Sequence, residues 1–324
     1  MLLADEVRTA CAQIAANARS VRIDLEAAAE VQPVEPPALD PERHYLEGDP
    51  ADVADYMLAL DAINFGSGWF PTLRKRTSEG TPVSGYFTVS WALADHVCAH
   101  GPPTAAWLAD VSTNEIAQIL DQDPSNELMS LYAQALRSLG RFMAGPPTTM
   151  IASTQLDRLS RSAPPDRPSQ SGQPARRALD LVAACEGSAE RLAETLARGM
   201  AMFDDRGFYK RAQIVANDLA LAGVAEFHDL DRLTIFADNL VPHVLRCDGV
   251  LVYEETLAAR IDAGERLALG GAEREIRACA VHACELISQR TGVPPRTIDI
   301  WLWTRGQAPE YKARPRHRCR SVFY

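Results

Sequence analysis

The chain has 324 residues, 33 basic and 43 acidic, for a formal charge of −10 and a pI near 5.3. With 47% hydrophobic and 23% charged residues it can bury a core, which excludes disorder over most of its length. Uncharged stretches such as Thr81–Ala94 are shorter than the ~18 apolar residues of a spanning helix, and an acidic balance argues against coating a nucleic-acid polymer by backbone charge.

In chain order the pattern is mostly helical. The N-terminal MLLADEVRTA turns charged at Asp5, unlike a secretory leader. Val7, Cys11 and Ile14 then form an apolar stripe at helical spacing. A short strand is expected near Val21–Ile23, a Pro-rich loop over Gln32–Pro41, and a second short strand at Gly85–Val89, where aromatic and β-branched residues gather. Leu128, Leu131, Ala135, Leu139 and Phe142 mark another helix. Ser160–Arg176, with four prolines and four serines, reads as a loop insertion. Arg211–Ala222, Glu254–Ile261 and the stripe Ile276, Ala280, Ala283, Ile287 complete the helices. The reading is an all-α fold with few short strands, one domain over 1–324 with room for two helical lobes. No G-x-G-x-x-G or P-loop occurs, so no nicotinamide or ATP cofactor is implied. Seven widely spaced cysteines without a C-x-x-C fit a reducing, cytoplasmic setting.

Four blocks could carry chemistry. In Asp61–Pro71, DAINFGSGWFP, glycines sit among Asn64, Phe65, Trp69 and Phe70. Such a block either lets backbone and rings approach a flat ligand or closes a helix with aromatic core anchors, and the second reading is favoured on the block alone. In Gly207–Asp218, GFYKRAQIVAND, Lys210 and Arg211 could meet a phosphate, although two basic residues on a helix are by default a solvated face. Asp238 in LTIFADNLVPHVL and Asp299 in DIWLWTRGQ are carboxylates beside aromatic or apolar runs, where a perturbed pKa is common; helix capping is the competing reading for both. His96 and His100 would share a helix face. The pair His228-Asp229 suggests a metal-dependent phosphohydrolase, but a metal needs several ligands in register, and none is assigned. Lys312, Arg314, Arg316, Arg318 and Arg320 form a basic cluster against the global charge.

Taken in order, DAINFGSGWFP, SGYF at Ser84–Phe87, FYKRAQI at Phe208–Ile214, LTIFADNLVPHVL, EREIRACAVHACELI, DIWLWTRGQ and the terminal HRCRSVFY resemble the queuosine salvage protein family, the queuosine 5′-phosphate N-glycosylases. The resemblance runs from about His44 to Tyr324. It implies an all-helical architecture similar to helix-hairpin-helix DNA glycosylases, and hydrolysis of the C1′–N9 bond of queuosine 5′-monophosphate to release queuine. It also implies a single nucleotide as partner, with no nucleic-acid polymer and no membrane. By the same resemblance Asp299 is the catalytic carboxylate, Asp238 reads the base edge, Phe236 meets the base face, and His44 contacts substrate. Asn64, Phe65 and Trp303 wall the pocket. Charge logic adds Lys210 for the 5′-phosphate, with Arg316 and Arg318 behind it. The chain departs from the family pattern at Asn239, His243, Trp301 and Thr304. The competing readings are the metal-dependent phosphohydrolase and a helical queuine-binding module without catalysis.

Overall fold

A computed structural model describes residues 2–34, 39–145 and 175–324. Helix accounts for 59% of the described residues, among which the strands are two short antiparallel pairs. Nearly all of the Ser160–Arg176 insertion, and the centre of the Gln32–Pro41 loop, lie outside the described residues.

Helix α1 (Leu3–Asn17) buries Leu3, Ala4, Val7 and Cys11. Strand β1 (Val21–Ile23) follows where expected, and Asp24 then caps α2 (Leu25–Glu30) by accepting from the Ala27 N–H at 3.0 Å. Helix α3 (Pro50–Ala62) starts with a capping Asp49 and Pro50 at its first position, and nearly every residue from Val53 to Ala62 is buried. A helix buried on nearly all sides belongs in the centre. The turn after it runs through Gly66, at φ 105°, which other residues avoid. A small hairpin, β2 (Thr77–Ser78) and β3 (Thr81–Pro82), leads to α4 (Gly85–His100).

Helix α4 corrects the expectation of a strand at Gly85–Val89. The Ser84 hydroxyl accepts from the Phe87 N–H at 3.2 Å, and that cap starts a helix whose aromatic residues would otherwise suit a strand. His96 and His100 do share a face of it, with ring centroids 4.6 Å apart.

Helices α5 (Ala105–Asp110), α6 (Thr113–Ile119) and α7 (Glu127–Ala144) form a layer, α6 opening with a Ser112/Glu115 capping box. Gly140 on α7 allows the close approach of α5, since a Cβ there would lie 2.2 Å from the Ala109 nitrogen. Helices α8 (Ala178–Ala184) and α9 (Ala189–Gly199) lead to α10 (Lys210–Leu221), which packs against α3 and α9. After a largely buried irregular run come α11 (Val241–Cys247), strand β4 (Leu251–Tyr253) paired with β1 in the register Val21↔Tyr253, and α12 (Glu255–Asp262). The long α13 (Ala272–Thr291) packs on α1 and ends at Gly292 in the left-handed conformation. Helices α14 (Pro295–Arg305) and α15 (Pro309–Lys312) precede the terminal segment. Buried side chains from α1 to α15 form one continuous apolar cluster.

Two consequences matter for chemistry. Helix α10 is buried from Lys210 to Leu219 with Ile214 alone partly exposed, although Lys210, Arg211, Gln213, Asn217 and Asp218 are polar. The default reading of Lys210 and Arg211 as a solvated face is therefore wrong; Arg211 is 1% exposed, lies between the Phe65 and Phe203 rings, and donates to the Ala62 and Met202 carbonyls. The helix-capping reading of Asp299 is likewise wrong. Helix α14 begins four residues before it, so Asp299 is a buried carboxylate within the helix.

Candidate active site

Buried polar groups without partners are costly, so a row of them beside a cavity marks where a fold keeps chemistry. The segment around His44, the turn after α3, helices α4, α10 and α14, the run before α11 and the terminal segment enclose a cavity of about 400 Å³. All eight residues singled out from the sequence line it: His44, Asn64, Phe65, Lys210, Phe236, Asp238, Asp299 and Trp303.

The run Leu233–Leu240 is irregular and largely buried, and side chains rather than a sheet hold its backbone. The Thr234 N–H donates to Gln213 Oε1 at 3.0 Å, and Arg277 Nε donates to the Ala237 carbonyl at 2.9 Å. Arg277 is anchored by Asp205 and stacks on Phe208. The Phe236 N–H donates to Asp299 Oδ1 at 2.8 Å, joining the run to α14. Asp238 Oδ1 accepts from the N–H groups of Leu240 (2.7 Å) and Val241 (3.1 Å). The capping reading of Asp238 is thus correct for one oxygen, while its carboxyl still faces the cavity.

Electrostatics separate the carboxylates. Burial, then the neighbouring Asp238, pushes the Asp299 carboxyl up to about 8, against the pull of the Phe236 N–H and Lys210. Burial pushes Asp218 up to about 6, and burial together with Asp218 holds Asp61 well above the carboxylate range. Lys210 sits among these acids. Burial draws its ammonium down, and Nζ donates to the Asn64 carbonyl (3.0 Å) and Asn64 Oδ1 (2.9 Å).

The opposite wall is aromatic. Trp303 meets Tyr86 and Phe87 edge to face, both with centroids 5.5 Å apart. His44 Nδ1 lies 2.8 Å from the Asp40 carbonyl and Nε2 lies 2.9 Å from the Tyr86 hydroxyl. A carbonyl only accepts, so Nδ1 carries the proton and Nε2 accepts from Tyr86. Burial, which lowers the His44 pKa, favours that neutral ring.

The basic cluster divides. Arg314 pairs with Asp262, Arg318 donates to the Gly264 carbonyl, and Arg320 pairs with Glu127. Arg316 reaches the cavity and has no ion-pair partner among the described residues. Close to it, burial and then the Arg316 charge push the Lys75 ammonium down to about 8, where it sits 5.2 Å from the Phe70 ring. Asp229 accepts from the Ser188 hydroxyl and the Ala189 N–H, both at 2.6 Å, at the start of α9. Among the described residues no cluster of three His, Cys, Asp or Glu side chains is placed to hold a metal.

Sequence reasoning missed Tyr86, Asn217, Asp218, Asp61 and Lys75. The signal was present for Asp61 and Asp218, each a charge inside an otherwise apolar helical pattern.

Comparison with known proteins agrees with the motifs. A protein of Sphaerobacter thermophilus named queuosine 5′-phosphate N-glycosylase/hydrolase is 30% identical, over 98% of this chain and 97% of its own. The chain belongs to the queuosine salvage protein family. The family's sequence model, described as queuosine salvage protein, matches residues 172–324. That span holds Lys210, Phe236, Asp238 and Asp299, whereas His44, Asn64 and Phe65 lie before it. A Mus musculus protein of the same name is 26% identical over 96% of both chains. One from Dictyostelium discoideum is 37% identical over 36% of this chain and 40% of its own. Among the described residues no helix is long and apolar enough to cross a membrane.

Proposed function

We propose that this protein hydrolyses the N-glycosidic bond of queuosine 5′-monophosphate, releasing queuine for reuse in tRNA, on a helical body of the helix-hairpin-helix glycosylase type. The observation that carries the reading is the pair Asp238 and Asp299. Both stand in one aromatic-walled cavity, and each has one oxygen fixed by backbone N–H groups.

Queuine is a 7-deazaguanine. Carbon replaces N7, so protonation there cannot ease departure of the base, and catalysis has to act on the sugar and the remaining base atoms. Ionised Asp299, in a site that excludes most water, stabilises positive charge developing at C1′ and orients a water molecule. The C1′–N9 bond breaks with both electrons going to the base, the water oxygen bonds to C1′, and the water proton neutralises the departing base. Lys210, between Asp299 and Asn64, keeps the ionised carboxylate accessible. Asp238 accepts from the base N1–H and exocyclic amine, a charge-assisted pair of bonds. Phe236, Phe65 and Trp303 flank the ring system, with Asn64 fixing Lys210. His44 acts by aiming the Tyr86 hydroxyl. The 5′-phosphate goes to Arg316 and Lys75, which form no ion pair among the described residues, with Lys210 contributing from the side.

The test is mass-spectrometric product analysis of purified protein incubated with queuosine 5′-monophosphate and excess chelator. Queuine plus ribose 5-phosphate is the expected outcome. Queuosine plus inorganic phosphate would overturn the reading in favour of phosphatase chemistry, and tight queuine binding without cleavage would reduce the protein to a binding module.

A further inference from the structure

The mechanism above leaves one stretch of the cavity wall unused. Asn217 and Asp218, consecutive on α10, both line it, and they are 1% and 5% exposed. Asn217 Nδ2 donates to Asp218 Oδ1 at 3.0 Å. That bond fixes the amide orientation and turns Asn217 Oδ1 into a buried acceptor with no donor. Asp61, fully buried on α3 and electrostatically coupled to Asp218, has a second such acceptor in Oδ2. The cation in this group, Lys210, is already held by Asn64. A fold that buries an acceptor without a donor loses stability unless a ligand supplies one. Here the unmet Asn217 acceptor and the Asp218 carboxylate line the cavity with Asp61 coupled behind them, while of the other cations lining it Arg43 pairs with Asp40 and Arg316 lies in the field of Asp238. The complement is a ligand group that is both positively charged and rich in N–H donors.

We propose that Asp218, with Asn217 Oδ1, binds a cationic substituent of the substrate base: the secondary ammonium that queuine carries on its 7-methylene. This rests on the nucleotide reading above and extends it, because it makes the 7-ammonium a determinant of specificity separate from the guanine-like edge read by Asp238. A 7-deazaguanine nucleotide with a neutral substituent leaves the buried Asp218 and Asn217 Oδ1 without the ligand's charge and donors, and is rejected for that reason.

The experiment compares kcat/KM for two probes, the 5′-monophosphates of 7-aminomethyl-7-deazaguanosine and 7-cyano-7-deazaguanosine. The first keeps an ammonium without the rest of the queuine side chain, and the second has neither charge nor donor. The unaltered protein is expected to favour the ammonium probe by roughly 10- to 100-fold, the range of a charge-assisted hydrogen bond. Asp218→Asn and, independently, Asn217→Ala should each shrink that ratio. A ratio near one in the unaltered protein, or variants that lower both probes equally, would overturn the proposal. If no nucleotide is cleaved, the glycosylase reading fails by itself. Calorimetric binding of queuine against 7-cyano-7-deazaguanine then decides the ammonium site, with selective loss of queuine affinity in Asp218→Asn expected and equal affinities overturning it.

Discussion

At the scale of single residues the two aspartates have separable tasks. Asp299 is needed ionised, yet its surroundings hold its carboxyl up to about 8. The free enzyme is therefore mostly protonated at neutral pH, and kcat/KM should climb as pH rises, levelling off above about 8. A pH–rate profile flat from neutral upward would contradict that role. Asp299→Asn keeps the oxygen that accepts the Phe236 N–H and removes the charge, so kcat should fall by about 10³-fold with little change in queuine affinity. Asp238 requires a finer pair of variants. Asp238→Asn retains an acceptor for the Leu240 and Val241 N–H groups but loses one of the two acceptor functions needed by the base edge. Queuine affinity should drop about 10-fold or more with Tm nearly unchanged. Asp238→Ala should lose that affinity and, through the missing cap, about 1 kcal/mol of stability. Calorimetry and thermal melts on the pair distinguish base recognition from capping.

At the scale of elements, what carries the site is how backbones approach one another. Gly68 follows α3, and a Cβ there would lie 2.3 Å from the Cys319 carbonyl oxygen, a main-chain atom that cannot swing aside. The same terminal segment presents Arg316 and is tied to the base-reading run by Asn239 Nδ2 donating to the His317 carbonyl at 3.1 Å. Gly68→Ala should therefore raise KM for the nucleotide and lower Tm together. Gly140→Ala makes an equally tight backbone contact in the α5–α7 layer, away from the cavity lining, and should lower Tm with kcat/KM unchanged. Much of this level was legible in the sequence. The stripes of α1, α7 and α13 are plain helical periodicity, and the ordered motifs name residues that the fold gathers into one cavity. The misreadings have physical causes. The aromatic run after Ser84 suits a strand until the Ser84 cap is weighed against it. The charges of α10 look solvated because nothing local reveals that α3 and α9 cover them. Nor does sequence spacing reveal that His44 and Tyr86 meet.

Across the whole molecule, the same buried groups that serve the site set how stability depends on pH. Asp299 and Asp218 are raised from an ordinary 3.8 to about 8 and about 6 in the folded state. Between the unfolded and folded values the native state binds more protons than the unfolded chain, so stability falls as pH rises through that window. The buried histidines act in the opposite direction. His317 is pushed down to about 3, mainly by burial, and His44 and His243 are also lowered, so stability is lost as pH falls below the ordinary histidine value of 6.5. Replacing Asp299 by Asn removes one term of the first kind and leaves the histidines alone. The Tm advantage of Asp299→Asn over the unaltered protein should be small near pH 4 and grow steadily up to about pH 8, where it corresponds to several kcal/mol. Asp218→Asn should show the same growth, levelling off earlier, near pH 6. Thermal melts of the three proteins across that range provide the check. An advantage independent of pH would mean that the gain comes from packing, whereas one that tracks the two folded-state pKa values would tie the stability of the fold to the charges kept in its cavity.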